Sequence, residues 1–200
     1  MDFSLAIMTN HDNTIGEARA DTDEKLATLA AADDRYFEIL VERYETKLRR
    51  YVMRFINCSA ADAQDIIQEV FINAYRNLNG FNAELKFSSW LYRIAHNEAV
   101  SHMRYATTRL TVILEDEKLE ALASEISVEH ELARKMDDMA LREAVNRLDA
   151  KYKEVLVLRY FEEKNYDEIS DILRKPSGSV SSLITRAKRL LLKEMQKAAP

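Results

Sequence analysis

Residues 174–197 carry seven basic side chains, Arg174, Lys175, Arg186, Lys188, Arg189, Lys193 and Lys197, against Glu194 alone. Cations repeated along one helix can neutralise a row of phosphates, and the same charges also suit a plain solvated face on a terminal helix. Both readings stand on charge alone. The other reactive residue types are not arranged for catalysis. His11, His96, His102 and His130 form no His-x-x-x-His pair of the zinc-binding kind. Cys58 is the single cysteine, so neither a disulfide nor a thiolate metal site can form within the chain. Three glycines build no phosphate-cradling loop, and no serine stands on a nucleophile elbow. Close carboxylates such as Asp62 with Asp65, or Glu115 with Asp116, read as solvated surface. The residues therefore point away from an enzyme, a metal, a cofactor or a small-molecule substrate.

The net charge of −5 conceals a pattern. Residues 1–34 sum to −6 and residues 110–140 to −6, whereas residues 141–200 sum to +4. Two mildly basic blocks follow an acidic start and are separated by an acidic segment. With 47% hydrophobic and 32% charged residues, the chain has the composition of a folded helical protein. Three Gly and two Pro are too few for the turns of a β-sandwich or barrel. No apolar run approaches the roughly 18 residues of a membrane span, and Met1–Ala20 lacks the basic start and apolar core of a signal peptide. The expectation is a cytoplasmic, all-α protein without membrane insertion.

Helical spacing organises the rest. Phe37, Leu40, Tyr44, Leu48, Tyr51 and Phe55 recur at steps of three and four. Ser59 with Asp62 predicts a capped helix start, and that helix carries Ile67, Val70, Phe71, Ala74, Tyr75 and Leu78 on one stripe. Asn79-Gly80 predicts its end, with Gly80 left-handed. Ser88-Ser89 predicts the cap of a third helix over about 89–105. Residues 1–33 read as an arm, frayed apart from a short helix near 23–32. Residues 106–128 read as a linker, with Leu110–Leu114, rich in β-branched residues, extended. Leu132, Met136, Leu141, Val145 and Leu148 predict further helix, as do residues 152–161. Asn165 caps a short helix, Arg174-Lys175-Pro176 breaks it, and Ser177 is placed to cap a last helix that buries Val180, Leu183, Ile184, Ala187, Leu190 and Leu191. Two helices joined by a three- or four-residue turn, the second basic, make a helix-turn-helix pattern; a plain helical hairpin shares it.

Two blocks of residues carry a family resemblance. The first is Asp65-Ile-Ile-Gln-Glu-Val-Phe71 with Phe87-Ser-Ser-Trp-Leu-Tyr-Arg-Ile-Ala-His-Asn97, and it resembles region 2 of the extracytoplasmic-function (ECF, group 4) sigma factors of the sigma-70 family. The second comprises Leu141–Leu148, Tyr152–Tyr160, Tyr166–Ile169 and Gly178–Leu190, and it resembles region 4. Both blocks, in this order, cover most of the chain.

The resemblance implies a bacterial RNA polymerase sigma factor. It implies two helical domains: an acidic arm at 1–33, region 2 at 34–106, a linker at 107–130 and region 4 at 131–197. Asp65, Gln68 and Glu69 would dock on core RNA polymerase. Phe81, Asn82, Lys86, Trp90, Arg93, Asn97 and Arg104 would bind the promoter −10 element, where captured bases need aromatic faces and phosphates need cations. Trp90 suits the core as well as a base. Lys175, Ser177, Ser179, Ser181, Ser182, Thr185, Arg186, Lys188 and Arg189 would bind promoter DNA at the −35 element, with Arg186 the foremost base or phosphate contact. An anti-sigma factor is an implied partner, able to hold the protein at the membrane. Three positions depart from the family pattern: Ser101 replaces a common Asp, and Ser181 and Leu183 replace common basic residues. They keep open a sigma-like adaptor that sequesters an anti-sigma factor without reading DNA. A conventional helix-turn-helix regulator explains residues 165–195 but leaves Asp65–Asn97 without a purpose.

Overall fold

The structure, a computed structural model, describes residue 16, residues 18–113 and residues 141–198. Among these residues the regular structure is all helical. Helix α1 (Asp23–Ala30) starts at Thr22, whose hydroxyl accepts from the Lys25 N–H, and Asp23 and Glu24 suit the positive end of the helix dipole. It buries Leu26, Ala27 and Ala30, and Asp23 accepts from both Arg43 and the Tyr44 hydroxyl. Residues 18–32 are thus packed onto the bundle, not frayed. Three apolar side chains at helical spacing and one buried-edge carboxylate suffice to dock them.

Helix α2 (Arg35–Ile56) buries Phe37, Leu40, Tyr44, Leu48, Tyr51 and Phe55, the face its spacing predicts. It ends at left-handed Asn57 (φ 53°), a conformation Asn tolerates better than most residues. Helix α3 (Ala60–Arg76) opens with the expected capping box. The Asp62 N–H donates to Ser59 Oγ at 3.1 Å, and the Ser59 N–H donates to the Asp62 carboxylate at 3.3 Å. Ser59→Ala is expected to cost about 1 kcal/mol, read as a lower urea midpoint with unchanged slope. The helix stops at Arg76, earlier than expected, and a single 3-10 turn (Leu78–Gly80) follows. Gly80 is not left-handed. Tyr75 lies outside the buried stripe, with its hydroxyl on Asp34 at 2.6 Å.

Helix α4 (Phe87–Ile113) starts before Ser88 and Ser89. The Trp90 N–H reaches the Lys86 carbonyl at 3.2 Å, so Lys86 takes the cap position expected of the serines. Glu24 supplies the missing side-chain acceptor, taking the Phe87 N–H at 2.9 Å. The helix continues through 110–113, where an extended segment was expected. β-Branched residues lower helix propensity by only tenths of a kcal/mol, and lengthening a formed helix needs no new nucleus. The expected linker beyond 113, and the helical residues Leu132 and Met136, lie outside the described residues.

Residues 141–146 are helical. Helix α5 (Ala150–Leu156) widens into a five-residue π turn (Val157–Phe161), closed by the Glu162 N–H on the Val157 carbonyl at 3.1 Å. Helix α6 (Tyr166–Leu173) has the predicted cap: Asn165 and Glu168 exchange bonds at 2.9 and 2.8 Å. It ends at left-handed Arg174 (φ 51°). Helix α7 (Ser177–Ala198) begins with the Val180 N–H on the Pro176 carbonyl at 3.1 Å, so Pro176, not Ser177, holds the cap position. Val180, Ile184 and Ala187 are buried, while Leu183, Leu190 and Leu191 pack at the edge. One continuous apolar core joins α1–α4 to α5–α7, from Tyr51, Phe55 and Tyr92 across to Val157, Leu158 and Ile169.

Candidate nucleic-acid and polymerase interfaces

Helix α3 turns Ala63, Ile66, Ile67, Val70 and Ala74 inward and leaves Asp65, Gln68 and Glu69 exposed together on its outer side. Beside Gln68 lies a shallow groove of ≈ 310 Å³ between α2 and α3, floored by Val41, Ile67, Phe71 and Ile72. Ile72 is 41% exposed. A polar ridge next to an uncovered apolar groove is what a docking face on another protein requires.

The start of α4 gathers three aromatic rings. Phe81 stands 5.4 Å from Phe87 and 5.3 Å from Trp90, centroid to centroid, with Phe87 and Trp90 5.5 Å apart. Phe87 is fully buried, whereas Phe81 and Trp90 are half-buried and keep ring surface facing out. Trp90 therefore serves the core and the surface at once. Asn82 is exposed, with its side-chain oxygen taking the Glu84 N–H at 2.9 Å. Asn97 and Arg104 are exposed farther along α4. Lys86 points elsewhere, toward α6, and half-buried Arg93 lies within electrostatic reach of Asp171 and Arg174. The Lys86 ammonium is 2.8 Å from Glu168. Burial lowers the Arg93 pKa, with Arg174 acting in the same direction and Asp171 opposing.

On α7, Ser177, Ser179, Ser181, Ser182, Thr185, Arg186, Lys188 and Arg189 are all exposed, opposite the buried stripe. Ser182 and Thr185 donate to the carbonyls of Gly178 and Ser181, each at 3.0 Å. Their oxygens keep acceptor capacity toward solvent. Lys188 lies over the Tyr160 ring, 5.3 Å from its centroid. Lys175 does not join this face: its ammonium is 3.1 Å from buried Glu154.

The seam between the two halves holds groups that charge counting and spacing overlooked. Tyr92 donates its hydroxyl to Glu162 at 2.7 Å, and Arg54 reaches the other Glu162 oxygen at 3.3 Å. Burial and then Glu162 raise the Tyr92 pKa, which keeps the hydroxyl a donor. The Lys164 ammonium sits 4.4 Å from the centre of the Tyr92 ring. His96 lies between the Tyr51 hydroxyl at 3.3 Å and Glu154 at 3.8 Å. Burial, then Lys175, lower the His96 pKa to about 4, so at neutral pH it faces Glu154 uncharged and the two are not an ion pair. One signal was present in the sequence. Lys153 and Glu154 precede the apolar Val155 and Leu156, and both are buried. Glu162 carries no comparable mark.

Among the described residues no group of three His, Cys, Asp or Glu is placed to hold a metal ion, and no helix is long and apolar enough to cross a membrane. Two family models match the chain: sigma-70 region 2 over residues 40–109 and sigma-70 region 4 over residues 138–191. The chain belongs to the sigma-70 family, among its ECF RNA polymerase sigma factors. It is 34% identical over 171 residues to the RNA polymerase sigma-H factor of Pseudomonas aeruginosa, covering 82% of this chain and 88% of that one. It is 32% identical over 186 residues to the ECF sigma-E factor of Escherichia coli K12, covering 88% and 95%. In fold it is similar to CnrH, solved with the cytosolic domain of CnrY, at a TM-score of 0.68, 22% identity and coverage of 90% and 100%. It is similar also to the sigma factor RpoE of Bartonella quintana, solved with the anti-sigma factor NepR, at 0.63, 19% identity and coverage of 80% and 96%.

Proposed function

We propose that this ECF sigma factor divides its work between its two helical units. The α3 ridge of Asp65, Gln68 and Glu69, with the groove beside it, docks on core RNA polymerase. The first unit, ending with α4, captures the −10 element on Phe81 and Trp90, with Asn82, Lys86, Arg93, Asn97 and Arg104 as polar and phosphate contacts. The second unit lays the leading end of α7 into the major groove at the −35 element. The acidic segment between them is a tether. Two weakly binding units mounted on one polymerase gain affinity through effective concentration.

The observation that carries this reading is the α7 surface. Eight polar or basic side chains of the expected set are exposed on one helix that follows a three-residue turn. Its hydroxyls can bond several base edges, and Arg186 supplies charge and bidentate reach. A non-enzymatic role in the cytoplasm accords with a chain whose surfaces are built for macromolecules. An anti-sigma partner is proposed from the two solved neighbours, each captured with a partner protein.

The test is transcription in vitro with core RNA polymerase on a pool of genomic fragments. Discrete transcripts that depend on the protein are expected. Arg186→Ala should lower them on the order of tenfold without loss of core binding, as removal of one good DNA contact costs about 1–3 kcal/mol. Asp65→Ala should weaken core binding itself. Core binding without initiation would favour the sequestering adaptor. No core binding would leave a conventional helix-turn-helix regulator.

A further inference from the structure

We propose that Tyr160 is a positioning residue for binding at the −35 element: its ring holds the Lys188 ammonium at the edge of the α7 face, set for a DNA phosphate. The proposal rests on the reading of α7 as the −35 helix. With Lys175 turned to Glu154 at 3.1 Å, the cations of the expected set on the exposed side of α7 are Arg186, Lys188 and Arg189. Each then carries a large share of the phosphate grip. A lysine is a point charge on a flexible four-carbon stem, and fixing it on a phosphate costs side-chain entropy. A contact that fixes the stem beforehand, without cancelling the charge, lowers that cost.

Tyr160 is built to make that contact. It comes from the π turn Val157–Phe161, which buries Val157 and Leu158 and leaves Tyr160 49% exposed. Such turns inside helices occur frequently at functional sites. The ring takes no part in the apolar core. Among the described residues its one ring or polar contact is Lys188, whose ammonium lies 5.3 Å from the ring centre. A ring face attracts an ammonium without neutralising it. A hydrogen bond with Tyr160 is also the first cause of a raised Lys188 pKa, and it leaves two of the three ammonium donors for a phosphate. Arg159, the preceding residue, is committed within its own unit. It donates to the Lys164 carbonyl at 3.0 Å, and its guanidinium lies 5.5 Å from the centre of the Tyr166 ring. Its charge opposes that of Lys188. Without the tyrosine, the ammonium would be driven off this position into water.

The test is a double-mutant cycle in the holoenzyme, on a promoter fragment recovered from the transcription pool, by filter binding from about 50 to 200 mM salt. Lys188→Ala should weaken binding and flatten the salt slope by about one, the signature of a lost phosphate contact. Tyr160→Ala should weaken binding about threefold, the range of an exposed cation–ring contact. That loss should persist when added to Arg186→Ala and vanish when added to Lys188→Ala. Both side chains of the pair are exposed, so the variants should fold. A ring that merely supported α7 would cost the same in both backgrounds, and that result overturns the proposal. Unchanged binding by Tyr160→Ala overturns it too, as does tighter binding, which would mean that the ring holds the lysine back. If Arg186→Ala and Lys188→Ala both leave affinity and slope unchanged, the −35 reading of α7 fails instead.

Discussion

Tyr51→Ala is expected to lower the free energy of unfolding by about 4 kcal/mol, the range for truncating a large aromatic in a packed core. Tyr51 is fully buried where the two helical units meet. Its ring stacks on Phe55 at 5.9 Å and meets Tyr92 edge-on at 5.3 Å. Its hydroxyl is 3.3 Å from His96 Nδ1. Tyr51→Phe keeps the ring and leaves one polar atom unpaired, so its cost should be about 1 kcal/mol. Trp90 is the single tryptophan and lies in the first unit, so its fluorescence reports that unit while far-UV circular dichroism reports all helices. Because the core is continuous, both probes should give one coincident urea transition. Separate transitions, or a Tyr51→Ala effect confined to Trp90, would mean the shared core does not couple the units.

Between pH 7 and pH 5 the protein should lose about 2 kcal/mol of stability through His96. In the folded chain burial, then Lys175, hold its pKa down at about 4, against an ordinary 6.5. At pH 5 the unfolded chain therefore carries a proton on this residue that the folded chain rejects. A state that binds more protons gains as pH falls, so unfolding is favoured from 6.5 downward, and the loss levels off near 4. The groups facing the ring are Tyr51, Phe55, Glu154 and Lys175. Burial raises the Glu154 pKa, with Lys175 opposing, and a raised acid acts in the other direction, stabilising the folded form at low pH. Comparing wild type with His96→Gln isolates the histidine. The difference in urea midpoint between pH 7 and pH 5 should shrink in the variant. An equal pH dependence in both would show that His96 is protonated in the folded protein.

The elements with strong periodicity were legible from residue spacing. Phe37 to Phe55 repeats over six positions on one helix, and that face is buried as predicted. Both capping boxes, Ser59 with Asp62 and Asn165 with Glu168, form because each side chain finds its partner within one turn. Local signals failed where another group took over, distant in one case and adjacent in the other. Glu24 replaces the serines at the start of α4, and the Pro176 carbonyl takes the cap position ahead of Ser177. The exposed sets on α3 and α7 could be read because an amphipathic helix announces its outer side. The seam could not. Glu162 and Glu168 are ordinary surface residues until the second unit folds against the first, and nothing in their neighbours foretells that contact.

The bond from Phe87 to Glu24 spans 63 positions, which gives it a meaning during synthesis. Translation at roughly 5–20 residues per second puts several seconds between the two residues. Through that interval α1 has been made, while the helix whose first amide Glu24 will accept has not. Leu26, Ala27 and Ala30 spend the wait without the complete bundle that later buries them. The nascent chain can lay α1 on α2 as soon as α2 is made, but the Glu24 carboxylate finds its amide only after α4 emerges from the ribosome.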